Sequence, residues 1–590
     1  MRESGLNPIR RSATVLLNLA VLMGSLALAE TKQEQLKSAD TAFRAGYAAE
    51  KTGDLSRARQ QFEKVVHLAP EIAEGHSAFG SVLLQLGEYT PAIRELARAL
   101  ELKPGDRSAE INLAIAYQQS GNQQKALSMF QVLDRNEGIP LPESVVIFYI
   151  RALAASHQTA RAMAKARTAL AAFPENPVFH DALGSLEAQG QDWNNAESEF
   201  KEAIRLGPSF IDAHLHLGLA LMMQQQISEA VRELTTAAAL APQNASIQTE
   251  FAKALIAAGD DAQAAAVLHN ALMLDPSSLD AKYQLGLALQ ASGEEQMAIT
   301  LLQEVVAADP HNAQALTNLG LALVQTGKSK EAISLYRRAL KMSPTDPLVR
   351  ENLGVAYLQE SDLDDAIAEF HEGMRLAPEA YELHYDLGLA LKLKDDLAAA
   401  ASELDLAARL NPNSPDPPYT LGILNMQRGR FDDAAEELSA ALQLRPENGD
   451  AWATLGSVYR QQDKLAEASN ALRRAIVLMP AQAGPHITLA SILAEQGQTA
   501  EAAGERRRAA ELTRMAVNRQ RATFASNTGN ALLLKGQITD AIDRYHEAVA
   551  SDPTYIEAHK GLAAALERAG RTVEADSERH KAEQFEQAHP

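Results

Sequence analysis

Residues 312–344 read NAQALTNLGLALVQTGKSKEAISLYRRALKMSP. Leu316, Leu319, Gly320 and Leu323 follow the i, i+3, i+4, i+7 spacing of an amphipathic helix. Thr326-Gly327-Lys328-Ser329 interrupts that pattern as a turn. Ala332, Tyr336, Ala339 and Leu340 then draw a second apolar stripe, which Pro344 stops. Asn312 stands just after a boundary proline, where an N-cap is wanted, as do Asn244 and Asp346. Two short helices cannot bury their apolar faces alone. The stretch therefore predicts a helix pair that stacks on copies of itself.

The copies are present. Pro174, Pro208, Pro242, Pro276, Pro310, Pro344, Pro378, Pro412, Pro446 and Pro480 stand 34 residues apart without a slip, and Pro70 and Pro104 share the interval. Twenty-four residues before such boundaries lie Gly46, Gly80, Gly184, Gly218, Gly286, Gly320, Gly354, Gly388, Gly422, Gly456 and Gly529. Twelve before lie alanines, among them Ala58, Ala196, Ala332, Ala468 and Ala541. Helices approach closely only where side chains are small, so these positions predict a tight crossing within each pair.

The period, the small-residue positions and the closing proline resemble the tetratricopeptide repeat (TPR) family, including the arrays of bacterial envelope scaffolds and of O-linked GlcNAc transferases. The resemblance covers residues 39 to about 587 and implies an all-α fold, a right-handed α-solenoid of about sixteen helix-turn-helix repeats. The pattern departs in two places. The period stretches around Arg135–Ser156, where Ile150 takes the expected glycine position inside an apolar run from Val145. At Arg514 a boundary proline is missing, and no Pro or Gly occurs between Glu505 and Thr528, which predicts one long helix. The expected organisation is an N-terminal segment over 30–138, a degenerate repeat over 139–174, a regular array over 175–514, and a C-terminal pair with a polar cap over 515–590.

Residues 1–29 form a different kind of segment. Arg2, Arg10 and Arg11 precede an uncharged run that ends Ala27-Leu28-Ala29, as in a secretory signal peptide. Cleavage near Ala29 is expected, with delivery to the periplasm or the medium; the alternative is retention of the segment as an anchor. The chain carries 55 Lys+Arg against 76 Asp+Glu, a formal charge of −21, which argues against nucleic acid as the main partner. It has no cysteine, which excludes disulfides and thiolate chemistry.

Several candidate sites have plainer explanations. Asp260-Asp261, Asp364-Asp365, Asp395-Asp396 and Asp432-Asp433 fall in the turn before a second helix, where aspartate caps the helix and suits its dipole. His76, His180, His214, His384 and His486 share one slot with Trp452, which points to packing rather than to a metal. Gly327-Lys328-Ser329 copies the end of a phosphate loop but lacks its earlier glycine and strand. No catalytic, cofactor or metal site is expected, and an enzymatic role would need a separate partner chain. Arg506-Arg507-Arg508 with Arg514, Arg519 and Arg521 is a basic cluster in an acidic chain.

The strongest functional signal is a polar stripe. Twenty-six residues before successive boundaries stand His216, Glu250, Gln284, Asn318, Asn352, Asp386, Thr420, Thr454 and Thr488, and Asn527 resumes the series. The family resemblance implies that first helices line a concave groove, where such a row holds an extended peptide by its backbone. Tyr283, Tyr385 and Tyr419 flank the row, with acids such as Asp280, Glu382 and Asp416 at the helix starts, so a basic ligand with spaced hydrophobes is expected. The reading is an exported, non-enzymatic scaffold for peptide segments or protein termini. Its rivals are a periplasmic scaffold for polysaccharide export or secretion, and a regulatory array for a separate enzyme. Membrane association is expected only through a retained N-terminal segment or the Arg506–Arg521 helix.

Overall fold

A computed structural model describes residues 32–135 and 140–588. The expected signal at 1–29 and the expected boundary at 138–139 lie outside these residues. The described residues are all-helical, with no strand among them, and they form 31 helices. The helix Thr499–Leu534 serves two successive pairs, so these helices make sixteen pairs. They gather into two units, residues 32–304 and residues 305–588.

The local rules operate as the spacing requires. Asn312 accepts from the Ala315 N–H at 2.9 Å, Asn244 caps through Ser246 and Ile247, and Asp346 caps through Leu348 and Val349. Asp260 and Asp396 cap second helices through Gln263 and Ala399, while Asp364-Asp365 and Asp432-Asp433 sit in first turns. After Gln325 the chain closes with Gly327 N–H on Val324 O (3.0 Å) and Lys328 N–H on Leu323 O (2.8 Å), a Schellman ending. Gly327 has φ 74°, and every pair has a residue of positive φ seventeen positions before its boundary. In six pairs that residue is not glycine: His157, Gln191, Gln225, Ser361, Asp395 and Asp463. The turn geometry recurs more strictly than the glycine that suits it.

The tight crossing has a definite partner. A Cβ on Gly320 would lie 2.7 Å from the Tyr336 ring, and one on Gly218 or Gly80 would lie 2.5 Å from Leu234 or Leu96. The glycine of the first helix thus receives a large side chain sixteen residues later on the second. The alanine between them is fully buried in each case: Ala332, Ala230 and Ala92. In the irregular pair Glu143–Ala155 and Thr159–Ala172 the sizes are exchanged. Ile150 fills the glycine position, the large residue is replaced by Ala166, and both are buried. The departure at Ile150 is a compensated crossing.

The histidine slot proves to be a polar clip. His76 spans from Glu95 (2.8 Å) on the second helix to the carbonyl of Pro70 (3.0 Å), and His214 from Glu233 (2.7 Å) to Pro208 O (3.1 Å). His384 and His559 do the same with Glu403 and Pro378 and with Glu578 and Pro553. Trp452 donates its indole N–H to Pro446 O at 2.8 Å, and Arg350 bridges Glu369 and Pro344 O. These side chains share an N–H aimed at the boundary proline's carbonyl, which satisfies a polar group at the seam between pairs.

Within each unit, successive first helices touch, as Pro347–Gln359 touches Tyr381–Leu393 and Ala245–Ala257 touches Leu279–Ala291. Second helices make no comparable contact among the described residues. First helices therefore line the inner side of each unit.

Candidate functional site

The buried residues of a first helix leave one strip half-exposed. In Tyr381–Leu393 the core takes Leu383, His384, Leu387, Gly388 and Ala390, while Tyr385, Asp386 and Leu389 keep contact with solvent. The same positions are half-buried as Tyr283, Gln284 and Leu287 and as Asn318 and Leu321. The polar stripe thus lies on the inner surface and borders apolar neighbours.

In the first unit its polar groups are largely engaged. His216 meets Asp181 of the preceding first helix at 2.7 Å and packs on Phe200 at 5.7 Å between ring centroids. Burial would lower its basicity, but the bond to Asp181 outweighs this and the imidazole titrates above its ordinary range. Glu250 holds Lys253 at 2.9 Å, and Lys253 reaches on to Asp280 at 2.8 Å. Burial opposes the Lys253 charge, yet the two carboxylates raise its pKa. Gln284 donates to Asp280 at 3.4 Å.

The second unit is arranged differently. Asn318 and Asn352 contribute amides, groups able to donate and accept together, and Asn318 already has a partner within the protein. Burial, reinforced by Glu351 and Glu382, pushes the Asp386 carboxyl up to about 7. Burial with Glu382 alongside raises Glu351 to about 7 as well. Neither acid has an ion-pair partner among the described residues. Tyr385 contacts the Thr420 hydroxyl at 3.4 Å, and burial raises the phenols of Tyr385 and Tyr419. Thr454 and Thr488 turn back to carbonyls of their own helices. The row is therefore not uniform: amides and desolvated carboxyls concentrate in 318–386.

Glu351 escaped the sequence reading, although a signal for it existed. Asp181 and His216 are 35 residues apart, and so are Tyr385 and Thr420. One repeat plus one residue is the spacing at which neighbouring first helices meet. Glu351 and Asp386 share it.

Comparison with known proteins agrees with the architecture. Tetratricopeptide repeat models match residues 43–107, 181–245 and 255–316, and a TPR repeat model matches 529–570. The model of the cilia and flagella-associated protein 70 C-terminal domain matches 287–526. The chain belongs to the tetratricopeptide repeat family, whose arrays are suited to binding proteins and peptides and are generally non-catalytic. The peroxisomal targeting signal receptor of Yarrowia lipolytica is 36% identical over 93 residues, 16% of this chain and 15% of the receptor. Among solved structures, the Cut9–Hcn1 hetero-tetramer of the APC/C aligns at 18% identity over 91% of this chain and 99% of that one, with TM-score 0.35. Yeast Tom70 aligns at 16% identity over 81% and 97%, with TM-score 0.33.

Proposed function

We propose that this protein is an exported scaffold that holds extended peptide segments or protein termini on the inner surface formed by its first helices. The observation that carries this reading is the pair Glu351 and Asp386. Two desolvated carboxyls without a basic partner stand in one row with Asn318 and Asn352. A lysine or arginine of a ligand would compensate them while the amides hold its backbone. Basic segments with spaced hydrophobes are the favoured ligands, because Leu321, Val355 and Leu389 are half-exposed beside the row. The limited likeness to a targeting signal receptor is consistent with peptide capture.

Export rests on the basic start, the uncharged run and Ala27-Leu28-Ala29. Mass spectrometry of the fractionated protein tests it: a mature N-terminus at Glu30 in an envelope or medium fraction supports export, and an unprocessed chain in the cytoplasm overturns it. Ligand capture is tested by incubating the full chain with an array of extended peptides, beside the Asn318→Ala/Asn352→Ala/Asp386→Ala variant. Loss of basic-peptide binding in the variant is expected. Equal binding by both proteins would remove the row from the function.

A further inference from the structure

We propose a second binding site, for an acidic peptide segment, in the cavity between the helices Ala483–Glu495 and Thr499–Leu534. It rests on a break in the repeat and is independent of the polar stripe. In the regular pairs the position eight residues before the boundary holds a large apolar side chain that packs on the crossing, such as Phe370, Leu404, Leu438 or Leu472. In the pair ending at 514 that position is Arg506, which is exposed. A cavity of about 640 Å³ opens there, lined by Ile487, Ser491, Arg506, Ala510, Thr513 and Arg514. Its size is that of a ligand site, and it combines an apolar wall with two hydroxyls and two guanidinium groups.

The nearby charges leave these arginines uncompensated. Glu505 is held by His486, Glu495 by Arg460, Glu511 by Arg508, and Glu501 by Arg473. Arg519 is paired with Asp552. Arg506, Arg507, Arg514 and Arg521 have no ion pair among the described residues, although the chain as a whole is at −21. Because arginine replaces proline at 514, the helix continues unbroken from Thr499 to Leu534. Arg507, Arg514 and Arg521, spaced by seven, therefore fall on one face over about 20 Å, at 1.5 Å per residue. Val517 and Phe524 are exposed toward the same side, as helical spacing requires.

The extent of the row selects the occupant. A small anion would engage Arg506 and Arg514 alone, whereas a linear segment of carboxylates interleaved with apolar residues matches the cavity and the row beyond it. An anionic membrane or a nucleic acid would bring a large negative surface against an acidic protein, which long-range repulsion opposes.

The test is fluorescence anisotropy of the full chain with a labelled peptide of repeated Glu-Glu-Leu, beside its Gln-Gln-Leu counterpart. The acidic peptide should bind, less tightly as salt rises, and the glutamine peptide should not. Arg506→Gln/Arg514→Gln should weaken binding by about tenfold or more. Ala510→Trp, which fills the cavity without changing charge, should do likewise. Arg508→Gln and the Asn318/Asn352/Asp386 triple-alanine variant should bind as wild type, which separates this site from the stripe. Circular dichroism checks that each variant is folded. The proposal is overturned if the acidic peptide does not bind, if the double variant binds it equally, or if the glutamine peptide binds as well. Binding confined to inorganic phosphate or to phosphatidylserine vesicles would overturn it too.

Discussion

Asp386→Asn should stabilise its part of the second unit at high pH and have no effect at low pH. The carboxyl rises from an ordinary 3.8 to about 7 because it is desolvated and faces Glu351 and Glu382. At ~1.4 kcal/mol per pKa unit, this would cost roughly 4 kcal/mol for an isolated dry carboxylate. Asp386 is half-exposed and titrates together with Glu351, so screening and the shared proton reduce the figure to ~1–2 kcal/mol. Between about pH 4 and 7 the folded protein binds more protons here than the unfolded chain. Stability is therefore full below the unfolded value and is lost as pH rises through about 7. Hydrogen exchange read by mass spectrometry over residues 347–393, corrected for the intrinsic rate, measures this locally. That choice matters because a long repeat array does not unfold in two states. Wild-type protection should fall from pH 5 to pH 8. The asparagine variant should stay level and exceed wild type at pH 8 by a factor of about 5–30. Equal protection of the two proteins at pH 8, or wild-type protection that grows with pH, would refute the assignment of unpaired, desolvated acids.

Other perturbations follow from the same geometry. Gly354→Leu should destabilise its pair by ~1–3 kcal/mol, because any Cβ there collides with the Phe370 ring, and local hydrogen exchange should show it. Ser361→Gly should stabilise by about 1 kcal/mol, since Ser361 holds φ 65°, where glycine is at ease. Ile150→Ala should cost ~2–4 kcal/mol and Ala166→Leu ~1–3 kcal/mol, while the double variant should cost less than their sum, by local hydrogen exchange over residues 143–172. His214→Leu should lose ~1–3 kcal/mol, because the Pro208 carbonyl is left without its N–H donor at the seam.

Much of the fold was legible because a repeat multiplies weak signals. One stretch such as 312–344 suggests a helix pair; the recurrence of Pro, Gly and Ala at fixed distances turns the suggestion into an architecture. The caps at Asn244, Asn312 and Asp346 and the long helix across Arg514 follow from local chemistry, and the structure contains them. The candidate site was less legible. The stripe could be drawn from spacing, but a row of polar letters does not say which members are already bonded.

The sequence by itself determined the helix pairs, their period and the small-residue crossing, because each depends on residues close along the chain or on identical copies of them. Only the tertiary structure decided how neighbouring pairs share their groups. It engaged His216 with Asp181, left Glu351 and Asp386 desolvated, turned the histidine slot into a clip on a proline carbonyl, and opened a cavity at Arg506. These outcomes depend on distance and solvent exposure between residues about a repeat apart, and such quantities exist only once the pairs have stacked.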